Sequence, residues 1–215
     1  MIIAGVEEAG RGPVIGPMVM AICAIPEEEE YKLKQLGVKD SKLLSPRQRD
    51  SMFDEIKKLC VHSIIILQAK DIDSALNNPS TNLNLLEAET SAKLINAIKC
   101  DKVTLDCPST NISAYTNFVK AKIRKKDVQV IAEHKADVNH VIVGAASILA
   151  KVTRDREIEK IKKEIKVDFG SGYPSDPNTV AFLKDNWNKY DIFRKTWATY
   201  KKLAEAKSQK GLDEF

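Results

Sequence analysis

The sequence predicts an α/β protein whose mixed β-sheet is flanked by helices, with a small helical region at the C-terminus. Two β-branched apolar runs near the N-terminus lie on either side of a Gly-Arg-Gly turn and predict a β-hairpin. Short apolar runs then alternate with helical stretches, which is typical of a sheet covered by helices. From Gly170, the turn-rich segment Gly-Ser-Gly-Tyr-Pro-Ser-Asp-Pro separates this part from two last helical stretches.

The first half of the chain contains three predicted strands and three predicted helices. A β-branched run, Val-His-Ser-Ile-Ile-Ile-Leu-Gln, predicts the third strand. A polar loop, 38–42, separates the first two segments of helical composition. In chain order we predict strands at 2–7 and 14–25, helices at 27–36 and 46–59, a strand at 61–68 and an amphipathic helix at 82–99.

The second half begins with a short strand that ends on an acid, Asp106, where Cys-Pro-Ser stops it. The predicted elements are a strand at 103–106, a helix at 111–123, a strand at 128–132, a long helix at 138–166, and helices at 177–188 and 194–207. We therefore predict an α/β domain at 1–170, a helical region at 171–207 and a flexible tail at 208–215.

We expect a cytoplasmic globular protein, and it is the distribution of charge rather than the composition that is compatible with nucleic-acid binding. Apolar residues make up 43% of the chain and charged residues 30%, which is ordinary for a globular protein. The net charge is only +4, but residues 111–166 hold 13 Lys and Arg against 7 Asp and Glu. This basic region suits a phosphate backbone, and a solvated helix surface is the alternative. No stretch is long and apolar enough to predict a membrane span or a cleavable leader, so we expect no membrane contact.

The four cysteines, at 23, 60, 100 and 107, show no Cys-x-x-Cys pair. This spacing predicts neither a zinc site nor a disulfide framework, and reduced cytosolic thiols are the simplest account. Cys107 follows Asp106 directly and is interpreted as a packing residue.

The N-terminal strand runs into two acids, Glu7 and Glu8, followed by Gly10-Arg11-Gly12. Buried strands rarely end on two acids unless a cation neutralises them. Glycines allow a ligand to approach the backbone closely, and Arg11 offers a planar donor fork for phosphate. Acids for a metal beside a basic turn indicate phosphodiester chemistry. The turn does not match a dinucleotide fingerprint, because the next residues are strand-like where a helix is required.

Four acids stand at strand ends or helix starts: Glu7, Glu8, Asp106 and Asp137. Acids at such places can meet at one edge of a sheet, where carboxylates and substrate phosphates hold hard divalent cations. Two such ions activate water and stabilise the leaving oxygen in an in-line displacement. Singly, Asp106 is also a good turn former, and Asp137 is as well explained as a helix cap.

The opening motif, Gly-Val-Glu-Glu-Ala-Gly-Arg-Gly-Pro, resembles that of the ribonuclease HII family, in which the first acid is Asp where this chain has Glu7. Asp40-Ser41-Lys42, Glu133-His134-Lys135-Ala136-Asp137, the helix motif at 145–155 and the Ser-Gly-Tyr-Pro segment also match that family, in the same order and in an archaeal form. The resemblance covers Ile2 to about Lys202. It implies an RNase H-like fold for the catalytic domain, and the family is usually monomeric.

The resemblance implies that Glu7, Glu8, Asp106 and Asp137 are the catalytic acids and hold two divalent cations, Mg²⁺ or Mn²⁺. Glu7 keeps the charge of the family's Asp but is one methylene longer. The extra length moves the carboxylate by more than ~1 Å against a positioning tolerance of about 0.5 Å. We therefore expect weaker catalysis or an altered metal preference, with Mg²⁺ suffering most because it demands near-ideal octahedral geometry.

The resemblance also implies the substrate contacts. Backbone groups of the Gly10-Arg11-Gly12 turn would read a ribonucleotide 2′-hydroxyl, and Tyr173 would stack on the neighbouring deoxyribose. Five further contacts are predicted. Ser41 and Lys42 would contact the substrate backbone, and Ser147, Lys151 and Arg154 on the long helix would contact phosphate or the acids. His134 is predicted either to move protons or to pack and cap, and Trp187 and Trp197 are interpreted as core residues of the C-terminal layer.

The tail, Gln209-Lys-Gly-Leu212-Asp-Glu-Phe215, resembles the peptides by which replication proteins bind the sliding clamp PCNA. Gln209 would enter a polar pocket, and Leu212 and Phe215 an apolar one. The motif's second terminal aromatic residue is missing, which predicts modest affinity.

The implied function is hydrolysis on the 5′ side of a ribonucleotide in an RNA–DNA hybrid or in duplex DNA, giving 3′-hydroxyl and 5′-phosphate ends. Two alternatives remain open at this point. One is a catalytically impaired nucleic-acid-binding protein docked on the clamp, in which Glu7 has spoiled the metal site. The other is a different nuclease of the RNase H-like superfamily, such as a resolvase or integrase, which would not need Tyr173.

Overall fold

A five-stranded mixed sheet forms the centre of the fold. The structure, a computed structural model, describes residues 1–38 and 45–210. The strands lie in the order β3-β2-β1-β4-β5, with β1 antiparallel to β2 and parallel to β4, and β4 parallel to β5. Their bounds are β1 Ile2–Ala9, β2 Met18–Pro26, β3 Val61–Leu67, β4 Lys102–Asp106 and β5 Gln129–Glu133. The predicted mixed sheet with flanking helices is confirmed.

The described residues also form nine α-helices, and a 3₁₀ turn at Glu27–Glu29 precedes the first of them. Within these residues, no helix combines the length and apolar character needed to cross a membrane. The bounds are α1 Glu30–Gln35, α2 Pro46–Leu59, α3 Ala69–Leu76, α4 Leu83–Ala97, α5 Ile112–Lys122, α6 Ala136–Asn139, α7 Val141–Ile165, α8 Pro177–Asn186 and α9 Ala198–Lys210.

The chain divides into two compact units. The first comprises Met1–Ala9, Val19–Ile66 and Leu83–Arg154, and the second Gly10–Met18, Leu67–Asn82 and Asp155–Phe215. The acids of β1 therefore belong to the first unit, and the Gly-Arg-Gly turn begins the second. The domain boundaries predicted from the sequence stay a prediction.

In the first unit, the N-terminal half of α7 packs directly on β1. A Cβ atom at Gly5 would lie only 2.5 Å from the backbone N of Val143, so the strand and the helix can approach this closely only at a glycine. Small buried residues continue the contact surface of the helix at Ala145, Ala146 and Ala150. The close packing places α7 against the strand that carries Glu7.

In the second unit, an aromatic cluster forms the core. Ring centroids lie 5.6 Å apart for Phe169 and Phe182, and 5.9 Å apart for Phe182 and Phe193. Trp187 packs edge-on against Tyr200 with centroids 6.2 Å apart, as expected for a core residue of this layer.

Four elements differ from the prediction. The helix predicted at 138–166 is divided into α6 and α7, because His140 between them has an extended backbone. Residues 14–17 are not strand, because Gly16 has a positive φ of +84° and Pro17 lacks an N–H. The helix α3 was not predicted, since its eight residues are fewer than the roughly 11 over which a helical period is assessed from sequence. The last helix begins at Ala198 rather than 194, because Asp73 binds the backbone N of residues 195 and 196 and holds that segment outside the helix.

Candidate active site

Parallel pairing of β1 and β4 brings three predicted acids to one edge of the sheet. Val6 is paired with Leu105, so Glu7 and Asp106 each follow a paired residue in strands that run in the same direction. Glu8 comes next in β1, near the end of the strand. The C-terminal ends of these two neighbouring strands therefore carry the acids together.

The backbone that precedes Asp137 is attached to this edge by a hydrogen bond. The backbone N of Ala136 donates to Oδ1 of Asp106 at 2.7 Å. Asp137 lies in the first turn of the short helix α6, which starts at Ala136. Asp106 thus holds the start of the helix that presents the fourth acid.

Electrostatics show that the four acids share one environment. The pKa of Glu7 is raised to about 10, first by burial and then by the negative charges of Glu8, Asp106 and Asp137. Lys151 of α7 acts in the opposite direction and lowers this pKa. The side chain of Glu7 is only 7% exposed, and its Oε2 is buried with no hydrogen-bond partner among the described residues.

This donor set fits a hard divalent cation. It consists of carboxylate oxygens, which Mg²⁺, Mn²⁺ and Ca²⁺ prefer, and the unpartnered Glu7 oxygen needs a positive neighbour. Within residues 1–38 and 45–210, no three His, Cys, Asp or Glu side chains already stand in positions that could ligate a metal. The acids are gathered, and ligation requires their side chains to adjust around the ion.

The predicted contact residues of α7 occupy different environments. Ser147 is fully buried, and its Oγ has no hydrogen-bond partner among the described residues. Lys151 is half-buried, and Arg154 is 8% exposed. Lys151 is the one whose charge demonstrably acts on Glu7.

His134 links two loops. Its Nδ1 lies 2.9 Å from the carbonyl oxygen of Cys107, and since a carbonyl only accepts, Nδ1 carries the hydrogen. Burial raises the pKa of the Cys107 thiol, which keeps it protonated. These contacts support a structural role for both side chains.

In the second unit, the Gly-Arg-Gly turn faces Tyr173. Gly10 has a φ of +80°, a conformation that favours glycine. A Cβ atom at Gly12 would lie 3.6 Å from Cε1 of Tyr173, so a side chain there would fill the space between the turn and the ring. Tyr173 is 38% exposed. The structure therefore brings two predicted substrate-binding features together.

Two residues that the sequence did not predict for the site, Arg194 and Trp197, donate hydrogen bonds to the carbonyls of this turn. Arg194 donates from Nη2 to the Gly10 carbonyl at 2.6 Å and from Nη1 to the Arg11 carbonyl at 2.9 Å. Nε1 of Trp197 donates to the Gly12 carbonyl at 3.1 Å. Trp197, interpreted from sequence as core, packs against the aromatic cluster and also bonds the turn. No local pattern reveals these contacts, which join residues more than 180 positions apart.

A protein-family model described as Ribonuclease HII matches residues 4–200. The chain belongs to the ribonuclease HII family. A ribonuclease HII from Methanococcus maripaludis (strain C6) is 47% identical over 94% of this chain and 87% of its own length. Membership makes the chain a nuclease of the ribonuclease H type, and it confirms the resemblance stated from the motifs.

Solved structures of ribonuclease HII relatives share the fold. The crystal structure of ribonuclease H2 from Pyrococcus horikoshii OT3 has a TM-score of 0.87 and 42% identity, covering 96% of this chain and 98% of that one. RNase HII in the PCNA:RNase HII complex from Archaeoglobus fulgidus has a TM-score of 0.84 and 36% identity, covering 92% and 95%. Bst-RNase HIII in complex with Mn²⁺, at 21% identity and a TM-score of 0.80 over 96% and 70%, shows the common fold alone.

Some of the residues predicted from the ribonuclease HII motifs lie outside the described part of the chain. These are Ser41, Lys42, Leu212 and Phe215. Gln209 falls within α9, but its side chain is not among those described.

Proposed function

We propose that the chain is an endoribonuclease that hydrolyses the phosphodiester on the 5′ side of a ribonucleotide, in RNA–DNA hybrids or in duplex DNA, giving 3′-hydroxyl and 5′-phosphate ends. The observation that carries this proposal is the gathering of Glu8, Asp106 and Asp137 around a buried Glu7 whose Oε2 has no hydrogen-bond partner among the described residues. Membership in the ribonuclease HII family supports it.

Glu7, Glu8, Asp106 and Asp137 would hold two divalent cations, Mg²⁺ or Mn²⁺. When bound, the ions supply activation of the attacking water and stabilisation of the leaving oxygen. The Mn²⁺ complex of Bst-RNase HIII supports a divalent ion on this fold. The local excess of negative charge favours cation binding over any anionic ligand.

The chain's own residues orient the acids. The Ala136 N–H fixes one oxygen of Asp106, and the other oxygen would be the one to hold a cation. Lys151 offsets part of the repulsion around Glu7 and favours its charged form.

The turn at residues 10–12 and Tyr173 would recognise the sugar. Because residue 12 is glycine, its backbone lies bare beside the Tyr173 ring, where a Cβ atom would lie 3.6 Å from Cε1. The ring would stack on the deoxyribose after the ribonucleotide, and Arg11 would contact phosphate. Ser41, Lys42 and Arg154 are proposed as further phosphate contacts, from the motif match.

The tail is proposed to dock the enzyme on PCNA through Gln209, Leu212 and Phe215. The PCNA:RNase HII complex of the Archaeoglobus fulgidus protein supports this proposal. Truncation after Ser208 should abolish binding to PCNA in a pull-down and leave cleavage of short duplexes unchanged.

Cleavage of an end-labelled DNA duplex with one ribonucleotide tests the function, in Mg²⁺ and separately in Mn²⁺. The chain and its Glu7→Asp variant should both cut once, on the 5′ side of the ribonucleotide, and Asp106→Asn should abolish the cut. A matched control is Asp127→Asn, a solvent-exposed acid on the loop before β5, which should cut as the parent does.

The outcomes separate the alternatives. Cleavage by Glu7→Asp alone would mean that the natural chain is a nucleic-acid-binding protein with an impaired site. Cleavage that survives Tyr173→Ala unchanged would favour another RNase H-like nuclease activity. Failure of both the chain and Glu7→Asp with every metal would overturn the proposed function.

A further inference from the structure

Arg194 is completely buried, and its guanidinium donates hydrogen bonds to backbone carbonyls. It donates to the carbonyls of Gly10, Arg11 and Gly16 at 2.6, 2.9 and 2.9 Å. Placing a guanidinium in the interior is costly unless its donors are satisfied, and a planar fork is the side chain that can reach three acceptors at once. This arrangement indicates a dedicated support for the turn.

Other contacts hold Arg194 in place. Its guanidinium carbon lies 4.8 Å from the centre of the Trp197 ring, a cation–π distance. Its backbone N donates to the Val14 carbonyl at 2.8 Å. The two residues that follow it are bound by the Asp73 carboxylate at 2.7 and 2.9 Å. The Trp197 ring therefore contacts the guanidinium, and the hydrogen bonds of residues 194–196 hold the backbone that carries it.

The direction of the carbonyls sets the direction of the N–H groups. No described peptide bond is cis, and in a trans peptide the C=O and the N–H point in opposite directions. Because the Gly10 and Arg11 carbonyls point at Arg194, the N–H groups of Arg11 and Gly12 point away from it. Two successive N–H groups turned to the same side form a concave site for an oxygen atom.

We infer that Arg194, together with Trp197, is a positioning residue that sets these two N–H groups to receive an oxygen of the ribonucleotide sugar and so determines selectivity for ribose over deoxyribose. This inference rests on the proposed function, because the oxygen it assigns is the 2′-hydroxyl of the substrate. The acids of β1 take no part in it.

The test compares Arg194→Lys with the parent chain. Lysine keeps the charge but cannot hold three carbonyls in a plane. Phe182→Leu is the matched control, since it weakens the aromatic core of the same unit without removing a hydrogen bond to the turn. Trp197→Phe is a second variant that keeps an aromatic ring and removes the N–H bonded to Gly12, and it serves if Arg194→Lys does not fold.

Two readouts are needed. The first is the NMR shift and the hydrogen exchange of the Gly12 amide in labelled protein without nucleic acid. The second is the ratio of dissociation constants for a DNA duplex with one ribonucleotide and the same all-DNA duplex, measured in EDTA to prevent cleavage. In Arg194→Lys the amide should shift and exchange about tenfold faster, and the preference for the ribonucleotide duplex should fall about fivefold. All-DNA affinity should stay within about twofold, and Phe182→Leu should change neither readout.

Each contrary result has a distinct meaning. An unchanged Gly12 amide in folded Arg194→Lys would overturn the positioning role. A changed amide with an unchanged duplex preference would overturn the link to ribose selectivity. If the parent chain itself shows no preference for the ribonucleotide duplex, the proposed function fails and the ribose assignment fails with it, while the amide comparison still decides the positioning role.

Discussion

Replacing Glu7 by Gln should stabilise the folded chain when no divalent cation is bound. Burial and three neighbouring acids raise the pKa of Glu7 from 4.5 to about 10. At pH 7.5 the folded protein therefore keeps a proton on Glu7 that the unfolded chain has released. Folding takes up a proton, so the free energy of unfolding falls as pH rises from about 4.5 towards 10.

The size of the effect follows from the same values. At pH 7.5 the Glu7 side chain is about 3 pH units above its unfolded pKa, which corresponds to a cost of up to about 4 kcal/mol. Glutamine is neutral, has nearly the same shape and does not titrate, so Glu7→Gln removes this cost. For a domain of this size the Tm should rise by roughly 5–15 °C.

Thermal unfolding in EDTA at pH 5.5, 7.5 and 9 measures this. The difference in Tm between Glu7→Gln and the parent should grow with pH, whereas Glu89→Gln, which removes a half-exposed charge from α4, should give a constant difference. Adding Mn²⁺ should reverse the order, since an ionised Glu7 binds the metal and glutamine does not. The reasoning is refuted if the Tm of the parent, minus the Tm of Glu7→Gln, stays constant or rises from pH 5.5 to pH 9.

Three further substitutions test the packing of β1 against α7, the space beside Tyr173, and the buried hydrogen bonds of Thr179. Gly5→Ala should destabilise the chain by about 1–3 kcal/mol in urea unfolding, because the new methyl would lie 2.5 Å from the backbone of α7; an unchanged midpoint would show that the contact is loose. Gly12→Ala should leave the Tm within a few degrees but lower kcat/KM on a single-ribonucleotide duplex at least about tenfold. The reason is that the new methyl group occupies the space beside Tyr173. Normal cleavage by this variant would mean that the sugar binds elsewhere. Thr179→Val should lower the free energy of unfolding by about 2–4 kcal/mol in the same urea assay. The buried hydroxyl donates to one backbone carbonyl at 2.8 Å and accepts from one backbone N–H at 2.9 Å. A loss below about 1 kcal/mol would mean that those backbone groups find other partners.

The sequence predicted most of the sheet because strands leave local patterns, and the same patterns mark the acids at strand ends as candidates for the site. β-Branched runs end on Glu7 and Asp106, and that alternation of strand and helix is enough to predict a mixed sheet. Asp137 joins these acids because it stands at a helix start, and the family motifs add Tyr173. The helix α3 was not predicted because its eight residues are fewer than the roughly 11 over which a helical period is assessed from sequence.

The family and the fold class follow from the amino-acid sequence alone, which also predicts the four acids of the candidate site. The pKa of about 10 for Glu7 required the folded chain, because that value depends on burial and on neighbours from β4, α6 and α7. The folded chain was also needed to place Arg194 on the carbonyls of the Gly10–Gly12 turn, 184 positions from Gly10. Hydrophobic period reports which face of one element is buried, whereas pairing between distant segments depends on how the whole chain packs.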